Sequence, residues 1–318
     1  MKKFLILCIV ACSLIAFGRN SKFKKADVTQ KIEKTADSAL IVKHLTKITK
    51  TNGFRNYQNI PLLNETADYI LSVFQQYADT AYFQPYEVEG QIYKNVVCRF
   101  GASTKPLIVV GAHYDVCGEQ EGADDNASGV VGILELARLL HNQTLNYPVE
   151  LVAYSLEEPP FFRTPYMGSY IHAKSLKDNN VPVYGMLAVE MIGYFSDESK
   201  SQDYPVKVMK VAYGTKGNYI LLAKKTGSGA FVKQFSKEFE NAETIETSNI
   251  KAPSKIQGID FSDHLNYWHF DYDALMITNT AFFRNKNYHQ TTDTMETLDI
   301  PRMAKVINGI YAALLNIS

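Results

Sequence analysis

The sequence predicts an α/β protein, a single-domain, three-layer α/β/α sandwich around a central, mostly parallel (mixed) sheet. Short runs of apolar and β-branched residues recur along the chain, and such runs are typical of strands buried on both faces. Segments with apolar residues at helical spacing separate them, and this alternation indicates a parallel sheet covered by helices on both sides. The strand-like runs occupy residues 107–110, 148–155, 183–191 and 274–279, and helical spacing follows the first two at 130–140 and 167–176.

The 318-residue chain has the composition of a globular protein, with 46% hydrophobic and 21% charged residues. Its 33 basic and 33 acidic residues give a formal net charge of zero, and the sequence has no long basic run. A nucleic-acid partner is therefore not expected. Since no repeat or low-complexity linker interrupts the chain, residues 19–318 are predicted to form a single domain.

Two amphipathic helices and a hairpin are predicted before the first buried strand. Residues 23–50 carry apolar side chains at helical spacing, and residues 64–78 repeat that pattern. Strands over 82–88 and 92–100 follow, joined by a turn at Glu89-Gly90.

The pattern is weaker after the third buried strand. Residues 206–213 are predicted as a strand, and residues 218–239 as a long helix broken near Gly227. A short helix over 263–269 precedes the last strand. An amphipathic helix over 301–315, with a proline in its first turn, closes the chain.

Residues 1–18 resemble a targeting signal segment and are excluded from the predicted fold. Two lysines precede an apolar run over 4–17 that is too short to span a membrane comfortably. Two processing routes remain open: cleavage after Gly18, or lipid attachment to Cys12, which ends a tetrapeptide resembling a bacterial lipoprotein box. Either route predicts an exported protein, in the periplasm, at the cell surface or in the extracellular medium. Contact with a membrane is expected only through a lipid anchor on Cys12.

Two cysteines, Cys98 and Cys117, lie outside the signal segment. A disulfide between them is compatible with an oxidising compartment. Two free thiols that pack as small apolar groups are equally compatible with the sequence, so both alternatives stay open.

Histidines and acids cluster just after the predicted buried strands. His113 and Asp115 are two residues apart, and such positions share a face in extended backbone. Charged groups next to buried strands are costly unless they are paired or bound to a metal. Imidazole together with carboxylates suits zinc. The full set is His113, Asp115, Asp125, Glu157, Glu158, Glu190 and His289.

Five motifs carry these residues in a characteristic order. They are HYD at 113–115, GADDNASG at 122–129, the pair EE at 157–158, Glu190, and YHQTTDT at 288–294. In this order the sequence resembles the co-catalytic di-zinc peptidases, which include secreted bacterial leucyl-type aminopeptidases and glutamate carboxypeptidases. The resemblance runs from residue 95 to residue 293 and implies the zinc-exopeptidase type of α/β fold.

The resemblance also implies two Zn²⁺ ions per chain, held by five side chains. Asp125 would bridge both ions. His113 and Glu190 would complete one site, and Glu158 and His289 would complete the other.

The same resemblance assigns catalytic roles to two further acids. Glu157 would act as general base, taking a proton from the metal-bridging water or hydroxide and passing it to the leaving amine. Asp115 would orient the ring of His113 and fix its tautomer. The implied function is an exopeptidase acting on peptide substrates, most simply an aminopeptidase that removes N-terminal residues.

One ligand departs from the commoner pattern of that family. Many relatives have Asp at the position of Glu190, and the extra methylene group predicts a slightly wider pocket, which bears on metal preference and occupancy. The turn Ser262-Asp263-His264 also resembles a turn of these enzymes. There, Asp263 or His264 is expected to support the metal ligands.

The loop after the Glu-Glu pair is longer than in relatives and contains three prolines, so we expect it to rim the substrate pocket. Phe161 and Phe162 are predicted to form an apolar wall there. Arg163 or Arg284 is predicted to meet a substrate carboxylate, and Tyr288 is a further predicted substrate contact.

Two alternatives are kept. Glutaminyl cyclases share the scaffold and much of the acid pattern but bind a single zinc, and the DDNASG and YHQTTDT motifs favour the two-metal peptidase. A catalytically silent peptide-binding relative would be expected to lack ligands or the base, whereas every position is filled here.

Overall fold

Eight β-strands form one mixed sheet in the computed structural model, which describes residues 34–206 and 208–318. The predicted signal segment and Cys12 lie outside the described residues. The strands are β1 Thr80–Val88, β2 Gln91–Phe100, β3 Leu107–His113, β4 Val149–Tyr154, β5 Val183–Glu190, β6 Ile220–Lys225, β7 Thr247–Ala252 and β8 Ala274–Thr278.

Helices of the described residues cover this sheet. They are α1 Ser38–Thr49, α2 Ile60–Tyr77, α3 Gly129–Leu140, α4 Gly168–Asp178, α5 Met209–Tyr213, α6 Ala230–Asn241, α7 His264–His269 and α8 Ile300–Asn316. Within the described ranges, none of them is both long enough and apolar enough to cross a membrane.

The spatial order of the strands is β1-β2-β4-β3-β5-β8-β6-β7. The central four, β4, β3, β5 and β8, run parallel to one another. The hairpin β1–β2 joins β4 antiparallel, and β6 joins β8 antiparallel on the other side. The predicted mixed sheet with a parallel centre is therefore confirmed.

The two faces of β3 belong to two separate cores. Ile108 and Val110 pack in the larger core, which includes apolar residues of α1, α2, α3, α6 and α8. Leu107 and Val109 pack in the smaller core together with residues of α4 and α7. This alternation follows from the two-residue period of a strand, and it produces the predicted three layers.

The first two helices begin at polar caps. The Asp37 side chain accepts hydrogen bonds from the backbone N–H groups of Ala39 and Leu40, and α1 begins at Ser38, inside the range 23–50 that was predicted as a helix. Residues 23–33 of that range lie outside the described residues. For α2, the Asn59 side chain accepts from the N–H of Leu62. This helix therefore begins four residues before the predicted Asn64.

Two predictions in the region after β5 were wrong. Residues 206–213, predicted as a strand, contain the short helix α5. Residues 220–225, predicted as helix, form β6, and α6 begins only after Gly229. The run ILLAKK has no strong local preference, so pairing with β8 and β7 decides its conformation. The strand β7 was not predicted, because its sequence TSNIKA is polar and only partly buried.

Gly111 in β3 is predicted to be intolerant of a side chain. A Cβ atom there would lie 2.2 Å from Cε2 of Tyr154, whose buried hydroxyl is hydrogen-bonded to that of Tyr267. Substitution Gly111→Ala should lower the free energy of unfolding by about 1–3 kcal/mol, measured by urea denaturation. Gly132→Ala in α3 is the control, because its Cβ would come no closer to a neighbouring atom than 3.1 Å, from Cδ1 of Ile192, and alanine favours helix. Equal stability of the two variants would contradict this reading of the β3–β4 contact.

Candidate active site

Three neighbouring parallel strands bring the predicted ligands to one edge of the sheet. His113 is the last residue of β3, and Glu190 is the last residue of β5. Glu157 and Glu158 follow the end of β4 within four residues. Because β3 lies between β4 and β5 and runs parallel to both, the carboxyl ends of all three meet.

His113 lies at the centre of the first group of side chains. Its Nε2 atom is 3.4 Å from Oδ1 of Asp125 and 3.5 Å from Oε2 of Glu190. Oε2 of Glu157 is 3.9 Å from the same nitrogen. All four side chains are buried.

His289 completes a second group on the other side of Asp125. Its Nε2 atom lies 3.2 Å from Oδ2 of Asp125 and 3.2 Å from Oε2 of Glu158. Asp125 thus presents one carboxylate oxygen to each histidine. This arrangement is what a carboxylate shared between two cations requires.

Several potential metal-binding atoms of the second group make no hydrogen bond. Among the described residues, the buried oxygen Glu158 Oε1 has no hydrogen-bond partner, and the 3.2 Å contact between Asp125 Oδ2 and His289 Nε2 does not have hydrogen-bond geometry. Unpaired buried polar atoms are costly, and bound cations would satisfy them. The trio His113, Asp125 and Glu190 has ligand atoms within 4.8 Å of one another. Imidazoles with carboxylates suit zinc, so the residues fit two divalent cations.

The charges of this cluster shift its pKa values in opposite directions. Burial opposes ionisation of Asp125, but His113 and His289 outweigh it and lower the pKa of that carboxyl. Burial disfavours the charged form of His289, yet Asp125 and Glu158 raise its pKa to about 10. For Glu158, burial and then Asp125 raise the pKa to about 7. Burial also raises the pKa of Glu157 well above its ordinary value.

Asp115 supports both Glu157 and Glu158 through the backbone. Its two carboxylate oxygens accept the N–H groups of Glu157 and Glu158, each at 3.1 Å. Nδ1 of His113 lies 3.6 Å from Asp115 Oδ1 and 3.3 Å from its backbone oxygen. Asp115 therefore contacts the ring that it was predicted to orient, and it also positions the Glu-Glu pair.

The loop that carries Asp125 is held by two further buried acids, and the Asp125–Asn126 peptide bond in it is cis. Asp293 accepts the N–H groups of Asp124 and Asp125, both at 3.0 Å. Asp124 accepts the N–H groups of Gly193 and Tyr194 and the side-chain amides of Asn279 and Asn285. The sequence indicates these acids only as members of the DDNASG and YHQTTDT motifs.

Glu190 is held by two neutral side chains. Ser262 Oγ donates to Glu190 Oε2 at 2.8 Å, and Asn126 Nδ2 lies 3.3 Å from the same oxygen. In the Ser262-Asp263-His264 turn, the serine is therefore the residue that contacts the candidate metal ligand Glu190. Asp263 is fully buried, and burial raises its pKa to about 7. His264 Nε2 instead contacts the backbone oxygen of Ile259 at 2.7 Å.

Arg55 was not identified from the sequence, although it supports the same loops. Its buried guanidinium donates to the backbone oxygens of Tyr114, Glu121 and Gly122, and also to that of Ile48. It thereby joins the segment after β3 to the start of the DDNASG loop. A single arginine in a loop carries no sequence signal for this role.

A cavity of about 460 Å³ opens beside the acidic cluster. One end is lined by His113, the acids and His289, and the remainder is mostly apolar. Phe162 and Tyr288, both predicted substrate contacts, line it. The apolar part includes Leu221, Ile250, Met276, Ile259, Phe261 and Phe282.

Three other predicted substrate contacts lie elsewhere. Phe161 is buried in the larger core, with its ring against those of Tyr57 and Tyr166. Arg163 is about half exposed and pairs with Asp260. Arg284 is 2% exposed, and its Nε donates to Gln202 Oε1, so it is held behind the lining. Neither arginine is among the residues that line the cavity.

Both predicted cysteine alternatives can be compared with the structure. Cys98 and Cys117 are free thiols, so the disulfide alternative was wrong. Cys98 is buried in β2, and Cys117 is half-buried in the loop after β3. Burial and the nearby Glu158 carboxylate raise the pKa of Cys117 to about 11.

The fold and the site together are those of an α/β enzyme with a candidate metal centre. A model of Peptidase family M28 matches residues 95–314, which is more than half of the chain, and the protein therefore belongs to this family. The matched range contains both candidate cation groups and Glu157. The family thus agrees with the resemblance found in the sequence.

Relatives of known sequence extend this assignment. The chain is 43% identical to the uncharacterized protein YfbL of Escherichia coli K12 over 277 residues, 85% of each chain. It is 25% identical to a probable leucine aminopeptidase 1 of Trichophyton verrucosum, over 84% of this chain and 72% of the relative. The family and the aminopeptidase relative support a peptidase.

Solved structures share the fold. LapA aminopeptidase of Legionella pneumophila superposes with a TM-score of 0.68 at 22% identity, over 89% of this chain and 72% of its own. A glutaminyl cyclase of Bacteroides thetaiotaomicron has a TM-score of 0.66 at 15% identity, over 90% and 99%. Since one scaffold hosts both activities, these similarities show the fold, and the site must decide the function.

Asp115→Asn is expected to weaken the candidate metal centre. Asparagine can accept only one of the two N–H groups that Asp115 holds, and its amide would face the other. Loss of such support typically costs roughly 10–100-fold in metal affinity or activity. Zinc affinity would be measured by competition with a chromogenic chelator. Asp178→Asn, at an exposed acid of α4 that pairs with Lys174, should leave the affinity unchanged. Equal affinity in both variants would contradict the role of Asp115.

Proposed function

We propose that the protein is an exported aminopeptidase that uses two Zn²⁺ ions to remove apolar N-terminal residues from peptides. The observation that carries this proposal is the position of Asp125. Its two carboxylate oxygens lie 3.4 and 3.2 Å from two different histidines, in a buried acidic cluster that opens into an apolar cavity. Export is supported by the basic and apolar pattern of residues 1–18.

Five side chains would hold the two ions. Asp125 would be shared, His113 and Glu190 would serve one ion, and Glu158 and His289 the other. When bound, such a pair of divalent cations supplies a water of lowered pKa and polarises the scissile carbonyl group.

Glu157 is placed to move a proton during hydrolysis. Its carboxylate lines the cavity and lies 3.9 Å from His113 Nε2, and Asp115 fixes its backbone. Burial, with contributions from Glu158 and Glu190, raises its pKa. A carboxyl with a raised pKa accepts a proton more readily near neutral pH. Glu157 would take the proton of the attacking water and deliver it to the leaving amine.

The charges of the cavity favour a free N-terminus over a free C-terminus. The lining includes the acids Glu157 and Glu190, and among the described residues it contains no lysine or arginine. An ammonium group is attracted to such a site, whereas a carboxylate is repelled. This supports an aminopeptidase over a carboxypeptidase.

The apolar lining indicates the preferred side chain. A leucine or phenylalanine side chain transferred from water into an apolar cavity gains roughly 1.5–3 kcal/mol. Leu221, Met276 and Phe261 offer such a surface next to the acidic end. The name of the probable leucine aminopeptidase relative agrees with this preference.

Glu157→Gln is expected to lower kcat by roughly 100–10,000-fold, because the amide cannot accept the proton. Bound metal should remain, since Glu157 is not among the proposed ligands. The variant would be assayed on a leucyl anilide, with metal content measured by mass spectrometry. Glu119→Gln, at an exposed glutamate, is the matched control. Turnover like that of the unmodified protein in Glu157→Gln would remove the proposed mechanism.

A peptide panel tests the proposed function directly. Peptides with N-terminal leucine should be cleaved whether or not the C-terminus is amidated, and N-acetylated peptides should not be cleaved. Leucyl substrates should exceed glycyl substrates by about 10-fold or more in kcat/KM, because the apolar cavity binds the larger side chain. A chelator should abolish activity, and zinc should restore it.

Other results of the same panel would contradict the proposal. Release of C-terminal residues from N-acetylated peptides would show a carboxypeptidase. Formation of pyroglutamate from N-terminal glutamine, with one zinc per chain, would show a glutaminyl cyclase, whose fold the protein shares. Metal binding without turnover of any substrate would indicate the silent peptide-binding alternative.

A further inference from the structure

We propose that the Cys117 thiolate is an additional ligand of the cation held by Glu158 and His289. Sγ of Cys117, a carboxylate oxygen of Glu158 and a ring nitrogen of His289 lie within 4.8 Å of one another. The inference rests on the proposed function, because it presupposes that this cation is bound.

The spacing is close to that of a zinc site. With Zn–S near 2.3 Å and Zn–N near 2.0–2.1 Å, tetrahedral ligand atoms are roughly 3.5 Å apart. Since no two of the three atoms are more than 4.8 Å apart, a small adjustment of the half-buried Cys117 side chain would bring the sulfur to that distance. The backbone just before it is held in place, because the N–H of Val116 donates to the backbone oxygen of Arg55.

The two side chains next to Cys117 have atoms that are available to bind a metal ion. Glu158 Oε1 has no hydrogen-bond partner among the described residues, and Glu158 is only 5% exposed. His289 Nε2 lies 3.2 Å from Asp125 Oδ2 and 3.2 Å from Glu158 Oε2 without hydrogen-bond geometry. The cysteine itself is a free thiol. A buried carboxylate oxygen without a hydrogen-bond partner is costly, and here it lies next to a thiol and an imidazole. All three groups therefore point to one bound cation.

A thiolate ligand would make the two cation positions unequal. The first position would have the nitrogen and oxygen donors of His113, Asp125 and Glu190. The second would have four protein ligands, Asp125, Glu158, His289 and Cys117.

Soft thiolate ligands favour zinc and cadmium over magnesium or manganese. The second cation would then have fewer positions open to substrate than the first, which has three protein ligands. The substrate amine would therefore approach the cation of His113 and Glu190.

Cobalt spectroscopy tests this inference without an activity assay. The metal-free full-length chain would be titrated with Co²⁺, which gives an ultraviolet thiolate-to-cobalt charge-transfer band only when sulfur is a ligand. The unmodified chain should show the band. Cys117→Ser should bind Co²⁺ without it, and Cys98→Ala, at the buried thiol of β2, should retain it. The difference between these variants excludes a contribution from the two N-terminal cysteines.

A second measurement does not depend on the folding of a variant. In the unmodified chain, zinc should slow the reaction of one thiol with a disulfide reagent, because a coordinated thiolate is protected. In Cys117→Ser, the zinc affinity of the site formed by Glu158 and His289 should fall roughly 10-fold or more.

The outcomes separate this inference from the proposed function. Two bound Co²⁺ ions without a thiolate band, or a band that persists in Cys117→Ser, would overturn the role of Cys117 and leave the aminopeptidase proposal intact. Failure of the unmodified chain to bind Co²⁺ would overturn both.

Discussion

Buried carboxylates at one edge of the sheet impose the main constraint on this structure. Asp125, Glu157, Glu158 and Glu190 lie together with two histidines in a site largely shielded from water. Like charges in such surroundings repel strongly, and the histidines only partly compensate. The proposed cations would offset this repulsion by binding the carboxylates. The surrounding residues hold the acids close together despite their mutual repulsion.

Support for the cluster comes mainly from backbone hydrogen bonds to groups outside it. Asp115 fixes the Glu157 and Glu158 amides, and Asp293 fixes the amide of Asp125. Arg55 joins the two loops through their carbonyl oxygens. Because buried charge-assisted hydrogen bonds are strong and directional, this second set of residues sets the separations between the ligands. An acidic end and an apolar cavity then meet in one pocket, which is suited to an N-terminal amine and an apolar side chain.

Strong local patterns made most elements predictable. The apolar runs that became β3, β4, β5 and β8 are buried on both faces and preceded the motif residues, so the position of His113 and Glu190 at strand ends followed from the sequence. Weak patterns failed: ILLAKK became β6 and TSNIKA became β7, because pairing with neighbouring strands outweighs local preference at the side of a sheet. The start of α2 at Ile60 was also missed, because Asn59 and Asn64 are both residues that favour a helix cap and only Asn59 serves as one.

The sequence by itself determined the fold class, the order of the five motifs and the candidate ligands, because residue type and spacing record which chemistry a strand end can carry. Only the tertiary structure decided which side chains share a pocket. It placed Phe162 in the cavity lining and Phe161 in the core, and it left Arg163 and Arg284 out of that lining. It also brought Cys117 beside His289, 172 positions away in the chain. Such proximity depends on how loops pack against one another, and no local pattern encodes it.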